Sequence, residues 1–475
     1  MSIRIRDVDL FQLPMRTRMP FRYGIATLTE LPHLVVRVRC DVDGAPATGL
    51  AADGLPPKWF TKQPDRPVEQ ELDDMLAVIR NAAASARGLS GPSVFALWHR
   101  LYQTQGLWAE TTNFPPLLWN LGVSLIERAV IDAVCRATGT PFAEAVRRNT
   151  LGIELGEIHK PLAGQSPADL LPAEPTRTIA VRHTVGLTDP LDDTDLNGVD
   201  RVDDGLPQTL EQVIAAQAVT HFKIKLSGKP DHDLDRLRRL ATIITRGAPG
   251  DAVFTLDGNE NFHAVEPFRD LAQAVCADAV VQPFMQKGLL FVEQPFHRRV
   301  ALSEEVQQAL LAWKDRPPII IDESDAQLHS LPRALDCGYV GTSHKNCKGI
   351  FKGIANACLI EHLRREEPDR TLVLSGEDLA NMGPIALLQD LAVVATLGLD
   401  HAERNGHHYF RGLSMFPPAV QDAVLEHHGD LYHRHADGFA TLKIDAGRIA
   451  IGSVVDAPFG TAFELDPEAL ALAPA

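Results

Sequence analysis

With 45% hydrophobic and 23% charged side chains, a chain of 475 residues has ample apolar material for a large folded core, which excludes extensive disorder. Sixty-two acidic residues against 46 basic ones give a net charge of −16 with no dense Lys/Arg tract, so no nucleic acid and no anionic membrane is expected as a partner. The six cysteines (Cys40, Cys135, Cys276, Cys337, Cys347 and Cys358) lack CxxC spacing, and no run has signal-peptide or membrane-spanning length, so a reduced, cytoplasmic protein is expected.

Residues 1 to about 50 alternate as half-buried strands do, through Ile3, Ile5, Val8 and Leu10 and then Leu34, Val36 and Val38, with Asp43-Gly44 as a turn signal. Helical spacing follows over Glu69 to Ala86, Ser93 to Tyr102 and Leu117 to Thr138. Together these predict an α+β capping domain over residues 1–140. The stretch from Leu155 to Asp204 is rich in Pro, Gly and Asp and reads mostly as irregular connection. From about Thr178 apolar runs alternate with amphipathic helices such as Leu210 to Val219, Asp233 to Thr245 and Glu266 to Ala277, the pattern of βαβ units. The predicted strands are Thr178–Val185, His221–Leu226, Val253–Asp257, Leu289–Glu293, Pro318–Asp322, Tyr339–Lys345, Thr371–Ser375 and His401–Asn405. Eight such strands predict the α/β class, with a TIM-type (β/α) barrel over residues 175–415. Strands return at Phe439 to Ile444 and Ile449 to Val455 around an Ala446-Gly447 turn, and residues 416–475 are expected to run back to the capping domain.

Several strands end in charged side chains, which is how a parallel barrel presents catalytic groups at its C-terminal mouth. Asp257, Glu293 and Asp322 close three consecutive strands. Any one of them could be a solvated helix cap, but three buried acids together need a cation, and hard carboxylate oxygens suit Mg2+, with Mn2+ as its substitute. Glu323 is an alternative ligand to Asp322; Asn259 and Glu323 otherwise stand beside the set as groups that orient ligands or hold a lysine. Lys223 and Lys225 lie two apart on one strand and share a face. Like-charge repulsion and a nearby metal are expected to lower their pKa values, leaving one as a base and the other charged. Lys345 ends the sixth strand across the pocket, with Lys348 and His344 as rival candidates. The constellation predicts metal-assisted proton abstraction from a small molecule.

Lys223-x-Lys225, Asp257-x-Asn259, Val292-Glu293-Gln-Pro, Asp322-Glu323-Ser and the sixth-strand lysine together resemble the enolase superfamily, in its muconate-lactonizing-enzyme-like subgroup, over nearly the whole chain. The resemblance implies an α+β cap on a modified (β/α) barrel, Mg2+ held by Asp257, Glu293 and Asp322, and abstraction of the proton α to a carboxylate with an enediolate stabilised by the metal. It implies Lys225 and Lys345 as acid/bases on opposite faces, Lys223 as support for Lys225 and the substrate carboxylate, and a homo-oligomer. The reaction expected is racemisation or epimerisation, with cycloisomerisation or β-elimination of the muconate cycloisomerase or o-succinylbenzoate synthase type as the alternative and a catalytically silent binding scaffold as the last.

The chain also departs from the family pattern. Lys345-Asn-Cys-Lys348-Gly349 has one glycine where two adjacent ones are usual, and Glu403-Arg404-Asn405 stands where dipeptide epimerases of the family carry Asp-x-Asp. The seventh-strand segment Leu372 to Asp378 has no histidine, which argues against the mandelate-racemase-like subgroup. Two cap loops, Pro20 to Ile25 and Ala52 to Phe60, correspond to those that set substrate choice in the family. There Arg22 and Lys58 are expected to meet an anionic substrate, Tyr23, Trp59 and Phe60 to wall off its apolar part, and Glu403 to bind substrate from the eighth strand. The histidines from His401 to His435 fit no metal-site spacing and are expected to be mostly solvated, with His401 near the pocket.

Overall fold

The computed structural model describes residues 1–196, 201–470, 473 and 474; the predicted irregular stretch from Leu155 to Asp204 therefore lies partly outside the described residues. Strands Ile3–Tyr23, Ala26–Val42 and Ala45–Gly54 form an antiparallel sheet in which Leu10 faces Val36 and Val8 faces Val38. Asp43 (φ 50°) and Gly44 (φ 85°) both take the left-handed conformation that a tight hairpin turn requires. Helices Val68–Ala86, Val94–Glu110 and Pro116–Thr138 complete the cap.

The third of these helices is buried from Leu117 to Cys135, and for that reason its sequence is apolar on nearly every face. A Cβ at Gly49 would stand 2.1 Å from the Ala129 carbonyl oxygen, so only glycine lets the helix lie this close on the sheet. Its buried acids serve backbone amides: Asp132 accepts from Leu50 N–H at 2.9 Å, and Glu127 accepts from Ile350 and Phe351 at 3.1 and 2.7 Å. Ile350 and Phe351 open helix Ile350–Glu366 of the barrel, so Glu127 ties the two layers together at a helix N-terminus.

The barrel strands are Thr178–Val185, His221–Lys225, Val253–Asp257, Leu289–Glu293, Ile319–Ile321, Gly341–His344, Val373–Gly376 and His401–Arg404. All eight run parallel, and the eighth pairs with the first from His401↔Ala180 to Arg404↔His183, which closes the barrel. The fold is thus a TIM-type (β/α) barrel with a capping domain, as the periodicity predicted. Along the second strand Phe222 and Ile224 pack outward beneath the helices, while Lys223 and Lys225 point to the barrel axis.

The C-terminal segment differs from its predicted pairing. Ala440–Leu442 pairs with Tyr432–Arg434, and Arg448–Ala450 lies antiparallel on the first barrel strand before helix Gly452–Asp456. Contact with the cap comes later: Arg136 donates to the carbonyls of Thr461 and Phe463, and Arg37 meets Glu468 at 2.9 Å. Among the described residues no helix is long and apolar enough to cross a membrane.

Candidate active site

The charged ends of the barrel strands converge beneath the two cap loops. Lys223, buried at the axis, has its Nζ 2.6 Å from Glu377, 2.7 Å from Glu293, 2.9 Å from Glu403 and 3.1 Å from Asp257. Burial alone would lower its pKa, but the four carboxylates outweigh it and hold the ammonium well above its ordinary value. For Lys223 this reverses the expectation that the lysine pair lowers its own pKa values, because four anions lie against it.

Lys225 donates to Asp257 Oδ2 at 2.5 Å. Lys345 donates to Asp322 Oδ2, and its Nζ sits 4.8 Å from the centroid of the Trp59 ring. Burial pulls Lys345 down, yet Asp322, Glu293 and Glu323 raise it overall. Lys225 and Lys345 come from the second and sixth strands, half a turn apart in an eight-stranded barrel, and both line one cavity. Lys348 is no solvated loop residue: it is buried and donates to Asp322 Oδ1 at 3.1 Å and to Ser343 O and Oγ at 2.7 and 2.9 Å, and it does not line that cavity. His344 is likewise occupied, with Asn346 Oδ1 3.0 Å from its Nε2.

Burial raises Asp257 and Asp322, but their lysines outweigh it and hold both below the ordinary carboxylate value, Asp322 strongly so. Burial, with Asp257 and Glu377 next to it, pushes Glu293 well above its own. Glu293 Oε2 lies 2.7 Å from Lys223 Nζ without forming a well-aligned hydrogen bond, and Oε1 has no partner. Glu323 is buried with Oε2 unpartnered, and desolvation together with Asp322 and Glu260 moves it up to about 7. The oxygens of Asp257, Glu293 and Asp322 are turned to different lysines, and among the described residues no three His, Cys, Asp or Glu side chains converge as a cage for a metal ion. Donor chemistry nevertheless fits a hard divalent cation: the three are buried carboxylates on adjacent strands, and Glu293 Oε1 has no hydrogen-bond partner.

The cap side is firmly latched. Arg298, just past the fourth strand, donates to Trp59 O and Phe60 O at 2.8 and 2.9 Å and grips Glu260 at 2.7 Å through Nε and Nη2. Lys62 reaches the carbonyl of Asn259 from the other direction. The cavity between cap and barrel is about 30 Å3, room for a water molecule or two against the 300–1,000 Å3 of a typical small-molecule site.

Of the loop residues singled out from the sequence, Tyr23 and Trp59 line the cavity, and the Tyr23 hydroxyl donates to Pro57 O at 2.8 Å. Arg22 is exposed and lies away from it, while Lys58 turns back on its own loop to the carbonyls of Gln63 and Arg66. Phe60 is buried behind Trp59, 4.9 Å away ring to ring. Asn259 and Glu403 both line the cavity; Asn259 donates its N–H to Asp257, and Glu403 accepts from Thr184 at 2.7 Å. His408 and His428 are buried, not solvated, and His401 lies beneath the mouth with Arg182 Nη1 3.0 Å from its Nδ1. Glu377, Asp378 and Arg182 are additions to the site. Arg182 pairs with Glu377, and Asp378 accepts N–H groups of Asn381 and Asn405 at 2.9 Å each. The signal for Glu377 was an apolar run ending in acid, the same one that marked Asp257.

No protein-family model and no curated protein sequence matches the chain. Solved structures share its fold end to end. A 2-chloromuconate cycloisomerase from Rhodococcus opacus superposes with a TM-score of 0.62 at 15% identity, over 98% of each chain. A muconate lactonizing enzyme from Pseudomonas fluorescens, solved with muconolactone, gives 0.60 at 16%, again over 98% of each. A dipeptide epimerase from Enterococcus faecalis, solved with Mg and the dipeptide L-Leu-L-Tyr, gives 0.58 at 13%, over 94% of this chain and 97% of that one.

Proposed function

We propose that this chain is an enzyme of the enolase superfamily that removes the proton α to a carboxylate and returns it, as a racemase or epimerase. The observation that carries the reading is the placement of Lys225 and Lys345 on opposite strands with both side chains lining one cavity. Two bases facing each other across a planar carbanion permit removal on one face and delivery on the other.

Asp257, Glu293 and Asp322 would hold Mg2+, which when bound supplies positive charge against the developing enediolate. Lys223 acts as a fixed cation: four carboxylates keep it protonated and immobile, so it organises Asp257 and Glu293 and leaves proton transfer to its neighbour two residues on. Lys225 exchanges a proton from the Asp257 side, and Lys345 does so from beneath Trp59. The cap loops leave room for only a water molecule or two, and so little solvent strengthens every charge interaction in the cavity.

Cycloisomerisation is the second reading, favoured by the equally complete superposition on the Rhodococcus and Pseudomonas structures; in that reaction one lysine would act and the other stabilise charge. The test is proton NMR in D2O with Mg2+ on a panel of carboxylic acids. Exchange with inversion that is lost in both Lys225→Ala and Lys345→Ala supports the two-base reading. A rearranged product that needs only one lysine supports the second, and exchange that survives both substitutions refutes each.

A further inference from the structure

Lys225 and Lys345 are the two cations that line the cavity. Towards the cap its wall is apolar, built from Phe21, Leu28, Pro56 and Trp59 with Leu379 and Ala380 of the barrel. A second substrate carboxylate lodged there would find no partner. Lys58 is held by Gln63 and Arg66 carbonyls, Arg298 by Glu260, and Lys62 by Asn259 O, while Arg22 faces away. Burying an unpaired charge is strongly unfavourable, so a second anion is excluded.

A substrate ammonium fares no better. The two acids lining the cavity are Asp378 and Glu403, and each of their four oxygens already accepts a hydrogen bond from the protein. Glu403 accepts from Thr184 at 2.7 Å, Lys223 at 2.9 Å and Asp378 N–H at 3.1 Å; Asp378 accepts from Asn381 and Asn405 N–H at 2.9 Å.

Two acceptors remain without partners. Asn259 Oδ1 and Asn405 Oδ1 belong to buried residues that line the cavity, and neither receives a hydrogen bond. The amide of Asn405 is oriented by Nδ2, which donates to Glu403 Oε1 at 3.4 Å, and this turns Oδ1 away from that acid. Buried carbonyls left in this state call for a donor from the ligand.

We infer that the substrate is a carboxylic acid with a single negative charge, an N–H or O–H donor, and an uncharged apolar far end. This rests on the α-proton chemistry proposed above and narrows it: diacids and free dipeptides, which carry a second charge, are disfavoured.

The experiment compares four acids with the full-length protein and Mg2+, by α-proton exchange in D2O and by calorimetric binding: N-acetylphenylalanine, its N-methyl analogue without the N–H, N-succinylphenylalanine with a second carboxylate, and Ala-Phe with an ammonium. The expected order places N-acetylphenylalanine at least about tenfold above each of the others, because a site built to pair a donor rejects the analogue that lacks one. Asn405→Ala should shrink the gap between the N–H and N-methyl acids, and Leu28→Lys should raise the N-succinyl acid relative to the N-acetyl one. Equal or better handling of the diacid, the dipeptide or the N-methyl acid overturns the inference. The same order in binding without exchange of any α proton leaves the ligand class standing and removes the proposed chemistry instead.

Discussion

Arg298 is the residue on which closure of the Trp59 loop depends, and Arg298→Ala measures how much. Its guanidinium makes two charge-assisted bonds to Glu260, at 2.7 Å each, and two to the carbonyls of Trp59 and Phe60. Glu260 is buried, and with Arg298 gone its nearest remaining cation is Lys62 at 3.8 Å. Breaking one side of a buried pair costs about 3–5 kcal/mol, much of it from the charge left behind. The predicted change acts on one loop rather than on the whole fold, so the measurement belongs on the loop. If about 3 kcal/mol of this falls on the closed state, the open population of the loop rises by roughly 100-fold. Hydrogen exchange followed by mass spectrometry on peptides covering residues 57–63 should show a matching loss of protection. Acrylamide should quench more of the tryptophan emission, with Trp59→Phe identifying the responsible ring. Adding Glu260→Gln to Arg298→Ala removes the stranded charge and should recover part of the protection, giving a coupling of about 1 kcal/mol or more between the two sites. Unchanged protection of residues 57–63 in Arg298→Ala would refute the latch.

Lys223→Met leaves Asp257, Glu293, Glu377 and Glu403 without their common cation and should lower thermal stability at pH 8 by about 3–5 kcal/mol, with a smaller loss at pH 5 as acids take up protons; a variant that melts with wild type at pH 8 contradicts the charge balance argued here. Glu127 gives a pH signature far from the mouth. Burial pushes it up to about 7 against the opposing pull of Phe351 and Ile350 N–H, Arg128 and Lys352. A carboxyl raised from 4.5 to about 7 on folding binds more protons in the native state, so its contribution is present at low pH and lost as pH rises through that window. Wild type should therefore fall relative to Glu127→Gln by roughly 3 kcal/mol between pH 4.5 and 7 and stay level above, as followed by denaturant melts; a difference that rises with pH reverses the sign and refutes the assignment. Finally, Glu293→Gln should weaken Mg2+ binding by calorimetry at least about tenfold while leaving the circular dichroism of the barrel intact, and equal affinity would remove Glu293 from the ligand set.

Much of the barrel was legible because each of its strands is a short apolar run between helices whose periodicity is 3.6, and the strand ends fell within a few residues of those predicted. Lys223 and Lys225 could be assigned to one face from the two-residue period of a strand, and the structure has both pointing to the axis. What the period does not carry is which neighbour a long side chain chooses. Lys58 and Arg22 look like anion binders in the sequence, but the positive φ of Lys58 (64°) turns its chain back on Gln63 and Arg66. Arg298 and Glu260 were invisible for a related reason: they lie 38 residues apart, and their value comes from carbonyls of a loop about 240 residues away. The strand Arg448–Ala450 was readable as a strand but not as a partner of the barrel's first strand, since pairing across 270 residues leaves no local trace.

The distribution of charge at the mouth decides which lysine can do chemistry. Lys223 has four acids within 3.1 Å, and the proton on it neutralises a cluster that would otherwise be untenable in the barrel interior. Deprotonating it would cost the stability of the strand ends themselves, so a base at this position would be self-defeating. Lys225, two residues on, contacts one carboxylate and faces the cavity, and Lys345 contacts one and lies against an aromatic face. On the proposed mechanism the lysines that would give and take a proton are thus those with the fewest anions in direct contact. The difference between Lys223 and Lys225 arises from Glu377 and Glu403, which the seventh and eighth strands deliver to the first lysine, with Glu377 held in turn by Arg182.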